Sequence, residues 1–583
     1  MTETADRGVT ERAGEVRARR VPGVEARAGK FPGPSLIPAL TAIQARLGWL
    51  PREELEELAR EARRPRYEIE GLVSFYPHFR TSPPPAVALH ACHDLPCYLR
   101  GGEERIAELR ERFGEGGPDN PGDVELVEVS CLGRCDVAPA VAVNERPAAL
   151  SDVDDLVAAA RAGGVGDAAA KGREEPWPND PYPAGTGAAQ RYATLRALRA
   201  GETDADAVVA ALKDSGLRGM GGAGFPTGQK WDLVRGAQPG STKYVICNAD
   251  ESEPGTFKDR QILATQPHLV LEGLLVAMEV VDAQEGWVFI RHEYGPEEHV
   301  LRAEIDALRE AGLVGPGRQV DVFVSPGGYI LGEETALLEC MEGHRGEPRN
   351  KPPFPGSYGL HGRPTLINSV ETFADVPVIV QRGAQWWADQ GLGESVGWKF
   401  FAVSGHVERP DVYCVPMGTT VGALIELAGG VSEGRALGAV QPGGASSNFI
   451  GPERLGTALD FGSAAEAGTM LGSGALVVLA EGSDLLAAST NVLRFFRNES
   501  CGKCVPCRVG STKAHELLVG RSELDDDERA QILRLEEAMR KTSICGLGQV
   551  ALGPVVSVLG LDKGGAAARD QPKPGGEPAQ PDR

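Results

Sequence analysis

The cysteines of this chain fall into closely spaced groups, and this grouping constrains the fold more than any other feature of the sequence. The chain has eleven cysteines and no export signal, so a disulfide framework is disfavoured. The groups are the pair Cys92 and Cys97, the pair Cys131 and Cys135, and the triplet Cys501, Cys504 and Cys507, which Cys545 follows. A chain with this spacing has to fold so that loops present several thiolates to metal ions.

The triplet lies in the segment ESCGKCVPCRVG, which places three thiolates within seven residues. One short turn can therefore wrap the corner of a cubic cluster, which leaves one iron for a distant ligand. Cys545 is the only cysteine further along the chain. The spacing favours a [4Fe–4S] cluster on these four residues, and structural zinc is the alternative because it also takes four sulfur ligands.

The N-terminal cysteines form two pairs, a different pattern. The apolar segment VALHAC predicts a strand that delivers Cys92 and Cys97 into a loop, and VELVEVSC repeats the arrangement for Cys131 and Cys135. Two irons, each held by two thiolates, suit two separate pairs, which favours a [2Fe–2S] cluster. Zinc is again the alternative.

Composition and charge exclude several classes of protein. Apolar residues make up 42% and charged residues 24%, as in ordinary globular proteins, and the net charge of −22 opposes an extended nucleic-acid surface. No apolar run approaches the 18 or more residues that a spanning helix needs. The first twenty residues resemble neither a secretion signal nor a transit peptide, so we expect a cytoplasmic protein without a membrane span.

Changes in composition and periodicity predict a multidomain α/β protein. The first four cysteines fall in one α/β domain, and the second set falls in a helical region. The expected divisions are a disordered lead at 1–32, a helical subdomain at 33–80, an α/β domain at 81–165, a linker at 166–198, a second α/β domain at 199–396, a β-grasp insert at 397–482, a helical region at 483–563 and a disordered tail at 564–583.

The segment RGMGGAGFPTGQKW contains G-x-G-x-x-G at Gly219, Gly221 and Gly224. An ordinary dinucleotide fingerprint follows a strand, whereas here a helical segment precedes the glycines and the apolar strand KYVICNA comes after them. The ordinary Rossmann interpretation is therefore rejected. Glycines still let backbone N–H groups cradle a phosphate, to which Lys230 can add a charge, while a simple flexible turn is the alternative.

Two acidic clusters follow this turn in the sequence. NADESEPG brings Asp250, Glu251 and Glu253 together after the apolar strand, and GEET adds Glu333 and Glu334. Carboxylates beside a phosphate cradle can accept hydrogen bonds from ribose hydroxyls and would repel a 2′-phosphate, which favours NAD over NADP. A solvated acidic loop is the alternative for each cluster.

Together these motifs resemble a fusion of two electron-input subunits of respiratory complex I. The thioredoxin-like [2Fe–2S] subunit is matched through FYPHF, the four N-terminal cysteines and CLGRCDVAPAVAVN, and the NADH- and FMN-binding subunit through the glycine turn, CNADESEPGTFKDR, GGYILGEETALLE, KPPFPGSYGL and ESCGKCVPCRVG. The resemblance implies a thioredoxin-like ferredoxin, a Rossmann-like FMN and NAD domain, an SLBB-like β-grasp insert and a C-terminal helical [4Fe–4S] bundle.

The resemblance also assigns the cofactor-binding residues. Those implied around FMN are Gly219, Gly221, Gly222, Lys230, Asn248, Asp250, Glu251, Tyr329, Glu333 and Asn368. Those implied at NADH are Phe225, Lys230, Glu253, Glu334 and Phe354, with an aromatic ring able to stack on adenine. No catalytic acid or base is expected, because the hydride moves between the two cofactors.

The function implied is that of an NADH:acceptor oxidoreductase, or diaphorase, subunit that exchanges a hydride with FMN and passes single electrons through the [4Fe–4S] cluster. Fusion of the two parts resembles the subunits that serve NAD-dependent formate dehydrogenases and NAD-reducing hydrogenases, so other redox subunits are the expected partners. The alternatives are an ordinary NADH-input subunit of respiratory NADH-quinone oxidoreductase, a stand-alone reductase, and a structural subunit without flavin chemistry.

Overall fold

Three four-stranded sheets, each built by a different part of the chain, organise the protein. The computed structural model describes residues 35–114, 123–166, 168–173, 175–183 and 185–561, so the segments 1–32 and 564–583, predicted to be disordered, lie outside it. Among the described residues no helix is both long and apolar enough to cross a lipid bilayer. The multidomain α/β prediction is confirmed.

The first described region is helical. Its helices are α1 (Leu36–Leu47), α2 (Arg52–Glu61) and α3 (Arg66–Val73). The Ser35 side chain accepts a hydrogen bond from the Ile37 N–H and so caps α1, and Gly48 ends the helix at a φ of +79°. This region packs on the central domain. Just after α3, the Tyr76 hydroxyl donates to the His344 carbonyl oxygen at 2.5 Å.

A small mixed sheet carries the first cysteine set, with strand order β2-β1-β3-β4. Its elements are β1 (Val87–Cys92), α4 (Leu95–Leu99), α5 (Gly102–Phe113), β2 (Val124–Val129), β3 (Ala140–Val143), β4 (Arg146–Ala149) and α6 (Val153–Arg161). Strands β1 and β2 are parallel, so their carboxyl ends meet at one edge, and β1 pairs antiparallel with β3. This edge brings the two cysteine pairs together, as the two strand-then-cysteine segments predicted, but Cys92 ends β1 and Cys97 lies in α4, where a loop was predicted.

The central domain contains a fully parallel sheet with strand order β7-β6-β5-β8. Its elements are α7 (Ala193–Ala200), α8 (Ala205–Asp214), α9 (Thr227–Gly236), β5 (Tyr244–Ala249), α10 (Lys258–Thr265), α11 (Pro267–Val281), β6 (Glu285–Arg291), α12 (Gly295–Glu310), β7 (Gln319–Ser325), α13 (Glu334–Met341), α14 (Pro355–Tyr358), β8 (Thr365–Ser369), α15 (Val370–Arg382) and α16 (Ala384–Ala388). The glycine turn lies between α8 and α9 and precedes β5, as the sequence predicted. Helix α11 is buried along nearly its whole length, which is why its sequence lacks a polar face.

Parts of the segment predicted to be a linker at 166–198 pack against this domain. Trp177 and Tyr182 are buried, and the Tyr182 hydroxyl donates to buried Glu272 at 2.7 Å. Glu272 also accepts from the Thr194 backbone N–H at 2.8 Å. Proline and glycine content predicted a linker, and the aromatic side chains of Trp177 and Tyr182 attach parts of it to the central domain.

The insert forms the third sheet, with strand order β10-β9-β12-β11. Its elements are β9 (Trp398–Gly405), β10 (Asp411–Pro416), α17 (Val421–Leu427), β11 (Leu437–Gln441), α18 (Phe461–Glu466) and β12 (Ala475–Ala480). The parallel pairing of β9 with β12 is flanked by antiparallel pairs, and α17 lies between β10 and β11 in the sequence. This is the predicted small sheet around one helix.

Helices form the C-terminal region that carries the second cysteine set. They are α19 (Leu485–Asn498), α20 (Val505–Leu518), α21 (Asp526–Thr542), α22 (Gly546–Val550) and α23 (Gly553–Leu561). Cys501 and Cys504 lie in the α19–α20 loop, Cys507 lies in the first turn of α20, and Cys545 directly precedes α22. The fold thereby returns Cys545 to the triplet.

Candidate flavin and iron–sulfur site

A cavity of ≈ 330 Å³ lies where the central domain, the insert and the C-terminal helices meet. Eight of the predicted cofactor-binding residues line it: Gly221, Gly222, Asn248, Asp250, Glu251, Glu253, Tyr329 and Glu333. The other six do not line it: Gly219, Phe225, Lys230, Glu334, Phe354 and Asn368. The predicted cofactor-binding residues therefore divide into eight that line this cavity and six that lie outside its lining.

The glycine turn forms one wall of this cavity. The Gly219 N–H donates to the Phe225 carbonyl oxygen at 2.9 Å, which closes the turn on itself. Within the described residues no hydrogen bond uses the N–H of Gly221 or Gly222, so both donors are available to a ligand. A Cβ at Gly221 would lie 3.0 Å from the Ser369 Cβ, so a side chain would close the gap. Free N–H groups at a close backbone approach fit the phosphate-bearing cofactor that the sequence predicted.

Two polar side chains at the carboxyl end of β5 are fixed by hydrogen bonds to the end of β7 and to the segment that follows β7. The Asn248 side-chain amide donates to the Gly332 carbonyl oxygen at 2.9 Å, and the Asp250 carboxylate accepts from the Ser325 hydroxyl at 3.1 Å. Burial raises the pKa of Asp250 to about 6, against hydrogen bonds that favour the ionised form. The carboxyl ends of parallel strands thus deliver preorganised polar groups to the cavity.

Glu251 and Glu253 both line the cavity but are held by different elements. Glu251 accepts from the first backbone N–H groups of α10 at 2.9 and 3.0 Å, and burial raises its pKa to about 7. Glu253 accepts from the Ser446 N–H of the insert at 2.8 Å, and burial raises its pKa too. Glu251 therefore serves as a helix cap as well as a cavity wall, and the insert positions Glu253.

Glu333 and Glu334, at the start of α13, connect the residues that line the cavity to those that do not. Lys351 Nζ donates to Glu333 at 2.8 Å and to Glu334 at 3.0 Å, and Lys230 Nζ lies 3.8 Å from the Glu334 carboxylate. Burial would raise the pKa of Glu334, but the two ammonium groups outweigh it and lower that pKa. Burial lowers the pKa of Lys230, against the attraction of Glu334.

The two predicted phenylalanines are exposed, whereas the predicted asparagine is buried. Phe225 and Phe354 keep 45% and 57% of their surfaces in solvent, which is unusual for rings of this size and leaves their faces free to stack on a ligand. Asn368 is buried, and its side-chain oxygen accepts a hydrogen bond from the Trp231 indole N–H at 3.0 Å. This bond gives Asn368 a clear structural role at the end of β8.

The four N-terminal cysteines converge in one buried cluster. The Cys131 and Cys135 sulfur atoms lie 3.5 Å apart, and all four thiols are at most 3% exposed. Backbone N–H groups donate to sulfur at two points, from Gly133 to Cys131 and from Ala140 to Cys97, both at 3.4 Å. Buried thiols that receive N–H···S bonds fit a ferredoxin-type cluster, because such bonds stabilise the charge on the sulfur atoms.

The four C-terminal cysteines also converge but are closer to solvent. Cys507 is buried, and Cys501, Cys504 and Cys545 are half-buried. Burial raises the pKa of Cys507 to about 11 and that of Cys545 to about 12, so the thiolates need a cationic group beside them. A polynuclear iron site supplies such a charge, which fits the predicted cluster.

The flavin cavity and this second cysteine set share a wall. Gly546, Leu547 and Val550 line the cavity, and Gly546 directly follows Cys545. On the same side, the Tyr329 ring contacts Phe495 of α19 with their centroids 4.9 Å apart. Cys545 is therefore covalently continuous with the cavity lining.

Sequence reasoning missed several cavity residues. The insert supplies Ser446, Gly472 and Ser473, and none of these was among the predicted site residues. Lys351 does not line the cavity but pairs with Glu333 and Glu334, and it was also missed, even though it lies in the segment KPPFPGSYGL. A lysine among prolines beside two acidic clusters was a usable signal, whereas the contribution of the insert had none because it depends on tertiary packing.

Four family models match the chain in the order of its domains. The thioredoxin-like [2Fe–2S] ferredoxin matches residues 29–159, and the Nuo51 FMN-binding domain matches 212–378. The SLBB domain matches 400–446, and the NADH-ubiquinone oxidoreductase-F iron–sulfur binding region matches 487–561. The predicted FMN, [2Fe–2S] and [4Fe–4S] cofactors are confirmed by these matches.

Curated relatives and solved structures extend this result. The NADH-quinone oxidoreductase F subunit 2 of Rhizobium meliloti is 43% identical over 61% of this chain and 87% of its own length. The NADP-reducing hydrogenase subunit HndC of Solidesulfovibrio fructosivorans is 40% identical over 60% of this chain and 74% of its own. A chain of the NAD⁺-reducing [NiFe]-hydrogenase in its H₂-reduced state matches with a TM-score of 0.78 and 32% identity, covering 89% of this chain and 90% of that one.

Fold, cavity and cysteine sets together define an iron–sulfur flavoprotein. The chain belongs to the family of the NADH-quinone oxidoreductase F subunits, with a thioredoxin-like [2Fe–2S] ferredoxin domain at its N-terminal side. The resemblance stated from the motifs is thus confirmed.

Proposed function

We propose that this chain is the NAD(H)-oxidoreductase subunit of a larger redox complex, and that the fourteen predicted residues form its FMN and NAD(H) sites. Cys501, Cys504, Cys507 and Cys545 would hold the [4Fe–4S] cluster, which would exchange single electrons with the cofactors of the cavity region. The direction depends on the partner, because a donor stronger than NADH drives electrons towards NAD⁺.

The shared wall between cavity and cluster is the observation that carries this proposal. Gly546 and Leu547 line the cavity directly after Cys545, so a flavin held there lies next to the cluster-binding loop. When bound, FMN supplies the conversion between a two-electron hydride donor and one-electron carriers. A chain that places such a cavity against such a cluster is built to pass electrons on.

The chain itself would bind FMN and NADH and hold them in position. The free N–H groups of Gly221 and Gly222 receive the flavin phosphate, and exposed Phe225 and Phe354 offer rings for the adenine of NADH. Glu334 accepts from the ribose hydroxyls of NADH and disfavours the 2′-phosphate of NADPH. Its pKa is lowered beside Lys230 and Lys351, so it carries the negative charge that this selection needs.

A hydrogenase-type or formate-dehydrogenase-type complex is the proposed setting. The NAD⁺-reducing hydrogenase chain aligns with 89% of this chain, whereas the two curated relatives cover 60–61% of it, because the hydrogenase match extends across the fused domains. We place the protein in the cytoplasm, where thiols stay reduced and available to clusters.

Anaerobic spectroscopy tests the proposal as a whole. We expect purified protein to contain FMN and iron, and NADH to bleach the flavin absorbance and produce two reduced-cluster signals by electron paramagnetic resonance. Zinc in place of iron, or full FMN occupancy without any response to NADH, would instead support the structural-subunit alternative.

Coenzyme selection is tested with Glu334→Gln. We expect KM for NADH to rise about 10-fold, equivalent to roughly 1.4 kcal/mol, and the relative kcat/KM for NADPH to increase because a repulsive charge is lost. Exposed Glu394, replaced by Gln, is the matched control and should change neither value. If the ratio of kcat/KM for NADH to kcat/KM for NADPH is the same in wild type and in Glu334→Gln, Glu334 does not select the coenzyme.

A further inference from the structure

A second, larger cavity of ≈ 960 Å³ lies where the N-terminal helices, the [2Fe–2S] domain and the central domain meet. Its lining includes four histidines, His78, His90, His93 and His292. None of these residues belongs to the flavin cavity or to either cysteine set. Histidines from three regions of the chain around one space indicate a ligand different in kind from FMN.

Three side chains in this cavity have the spacing of a metal site. His78 follows α3, Glu145 lies in the β3–β4 turn, and His292 directly follows β6. One ligand atom from each lies within 4.8 Å of the others, and the two imidazole centroids are 4.2 Å apart. Ligand atoms around tetrahedral zinc are about 3.3 Å apart for bonds of 2.0–2.1 Å, so small side-chain movements would close the site.

The protein leaves binding capacity of these groups unused. His292 Nδ1 is buried without a hydrogen-bond partner among the described residues, although Glu293 approaches it to 3.3 Å. The Glu145 carboxylate takes part in no hydrogen bond or ion pair of the described residues. A buried, unpartnered imidazole nitrogen is costly unless something binds it, and a metal ion would do so.

The backbone around each group is fixed, so the site is preformed. The Asn144 side chain accepts from the Ala88 N–H at 2.8 Å and donates to the Ala86 carbonyl oxygen at 3.2 Å, which holds the turn before Glu145. Gly327 packs against the His292 ring so closely that a Cβ there would lie 2.9 Å from its Cε1. Ligands on anchored turns lose little freedom on binding a metal.

The donor set selects the class of metal. Two imidazole nitrogens and one carboxylate oxygen suit zinc and similar divalent transition metals, whereas calcium and magnesium prefer oxygen ligands alone. The open cavity leaves room for water as a further ligand. We propose that His78, Glu145 and His292 bind one divalent transition-metal ion that ties the N-terminal helices and the [2Fe–2S] domain to the central domain.

The position of this site suggests what the ion does. Arg291, the neighbour of His292, donates from Nη2 to the Cys131 carbonyl oxygen at 2.6 Å. A metal at His292 therefore restrains the same strand end that holds the [2Fe–2S] loop against the central domain. This inference rests on the geometry of the three ligands and does not depend on the proposed electron path.

Metal binding to the complete protein, with its flavin and clusters, tests the proposal. We expect one Zn²⁺ per chain to bind beyond the cluster iron, and expect His78→Gln and His292→Gln each to weaken its affinity at least 100-fold. Glu145→Gln should weaken it less, about 10-fold, because the glutamine side chain keeps an oxygen that can coordinate the ion. Co²⁺, added in place of zinc, reports ligand type by its visible spectrum.

Matched controls separate this site from surface binding and from damaged clusters. His299→Gln and Glu111→Gln remove an exposed imidazole and an exposed carboxylate elsewhere and should leave the affinity unchanged. Iron content and the [2Fe–2S] signal, measured on every sample, show whether each variant is folded. Absence of saturable zinc binding, unchanged affinity in His292→Gln, or zinc uptake matched by iron loss would each overturn the proposal.

Discussion

The two cysteine sets differ in what surrounds them. The N-terminal set is buried to 97% or more at every thiol, and the residues that hold its loops come from the central domain and from α19. The C-terminal set is half-buried at three of its four thiols, and exposed Val505 and Val509 lie beside it. Clusters with similar ligands therefore occupy opposite settings, one inside a domain junction and one near solvent.

This difference indicates different roles. A cluster close to the surface and next to the flavin cavity is placed to exchange electrons with a partner chain, whereas a cluster enclosed by its own chain is placed to hold electrons or to stabilise the junction. The same substitution should therefore affect electron exit at one set and domain docking at the other.

Loss of one ligand from each set is expected to give the largest effect. Cys504→Ser should abolish the [4Fe–4S] signal and lower electron transfer from NADH to a redox partner by at least 100-fold, while NADH still bleaches the flavin. Cys97→Ser should abolish the [2Fe–2S] signal with a smaller effect on that transfer. Cys414→Ser, at a half-buried cysteine outside both sets, is the control. Equal losses of transfer in the first two variants would contradict the division of roles.

An arginine beside each cysteine set donates to a backbone carbonyl, which provides a second comparison. Arg291 is buried, donates to the Cys131 and Glu251 carbonyl oxygens and pairs with Glu293 at 2.8 Å. Arg508 is exposed and donates to the Gly502 carbonyl oxygen. Arg291→Met should cost about 3–5 kcal/mol because it leaves a buried charge unpaired, and Arg508→Met should cost less than about 1 kcal/mol.

Chemical denaturation followed by flavin and cluster absorbance measures these losses. The [2Fe–2S] absorbance should disappear at lower denaturant in Arg291→Met than in wild type, and Arg508→Met should follow wild type. Similar curves for the two variants would show that the buried arginine does not hold the junction.

A glycine in each cysteine loop allows a closer comparison. Gly133 and Gly502 have φ of +66° and +76°, so alanine should cost about 1–2 kcal/mol of backbone strain at either position. At Gly133 the added Cβ would also lie 2.5 Å from the Tyr294 ring, whereas at Gly502 the nearest atom is 3.8 Å away. Gly133→Ala should therefore cost a further 1–3 kcal/mol or so.

The thermal midpoint and the [2Fe–2S] content of the two alanine variants report this difference. The backbone strain is common to both variants and cancels in the comparison. The additional loss of thermal stability in Gly133→Ala therefore measures only the docking of the cysteine loop on the central domain. Equal midpoints would mean that the loop moves away from Tyr294 without cost.

Much of this arrangement was predictable from sequence, and the remainder depends on tertiary packing. Spacing predicted which cysteines belong together, because ligands of one metal site often lie close in the chain. The glycine turn was predictable from the spacing of its glycines, and the acidic residues after β5 were predictable because they directly follow an apolar strand. By contrast, the contact of Ser446 with Glu253 and the burial of Trp177 depend on how distant segments pack, which local patterns do not encode.

Glu499 joins the two regions, and its removal is expected to give the smallest effect. One carboxylate oxygen accepts from the Ser130 hydroxyl at 2.6 Å, and the other accepts from the Tyr329 N–H at 2.8 Å, so one side chain links the residue before Cys131 to the flavin cavity. Glu499→Gln keeps the shape but offers one acceptor where two donors exist, which should cost about 1–2 kcal/mol. Ser130→Ala removes only the first donor, so the two variants should lower stability by less when combined than the sum of their separate effects. Denaturation midpoints of the single and double variants measure this coupling, and strict additivity would show that the link between the two regions contributes nothing.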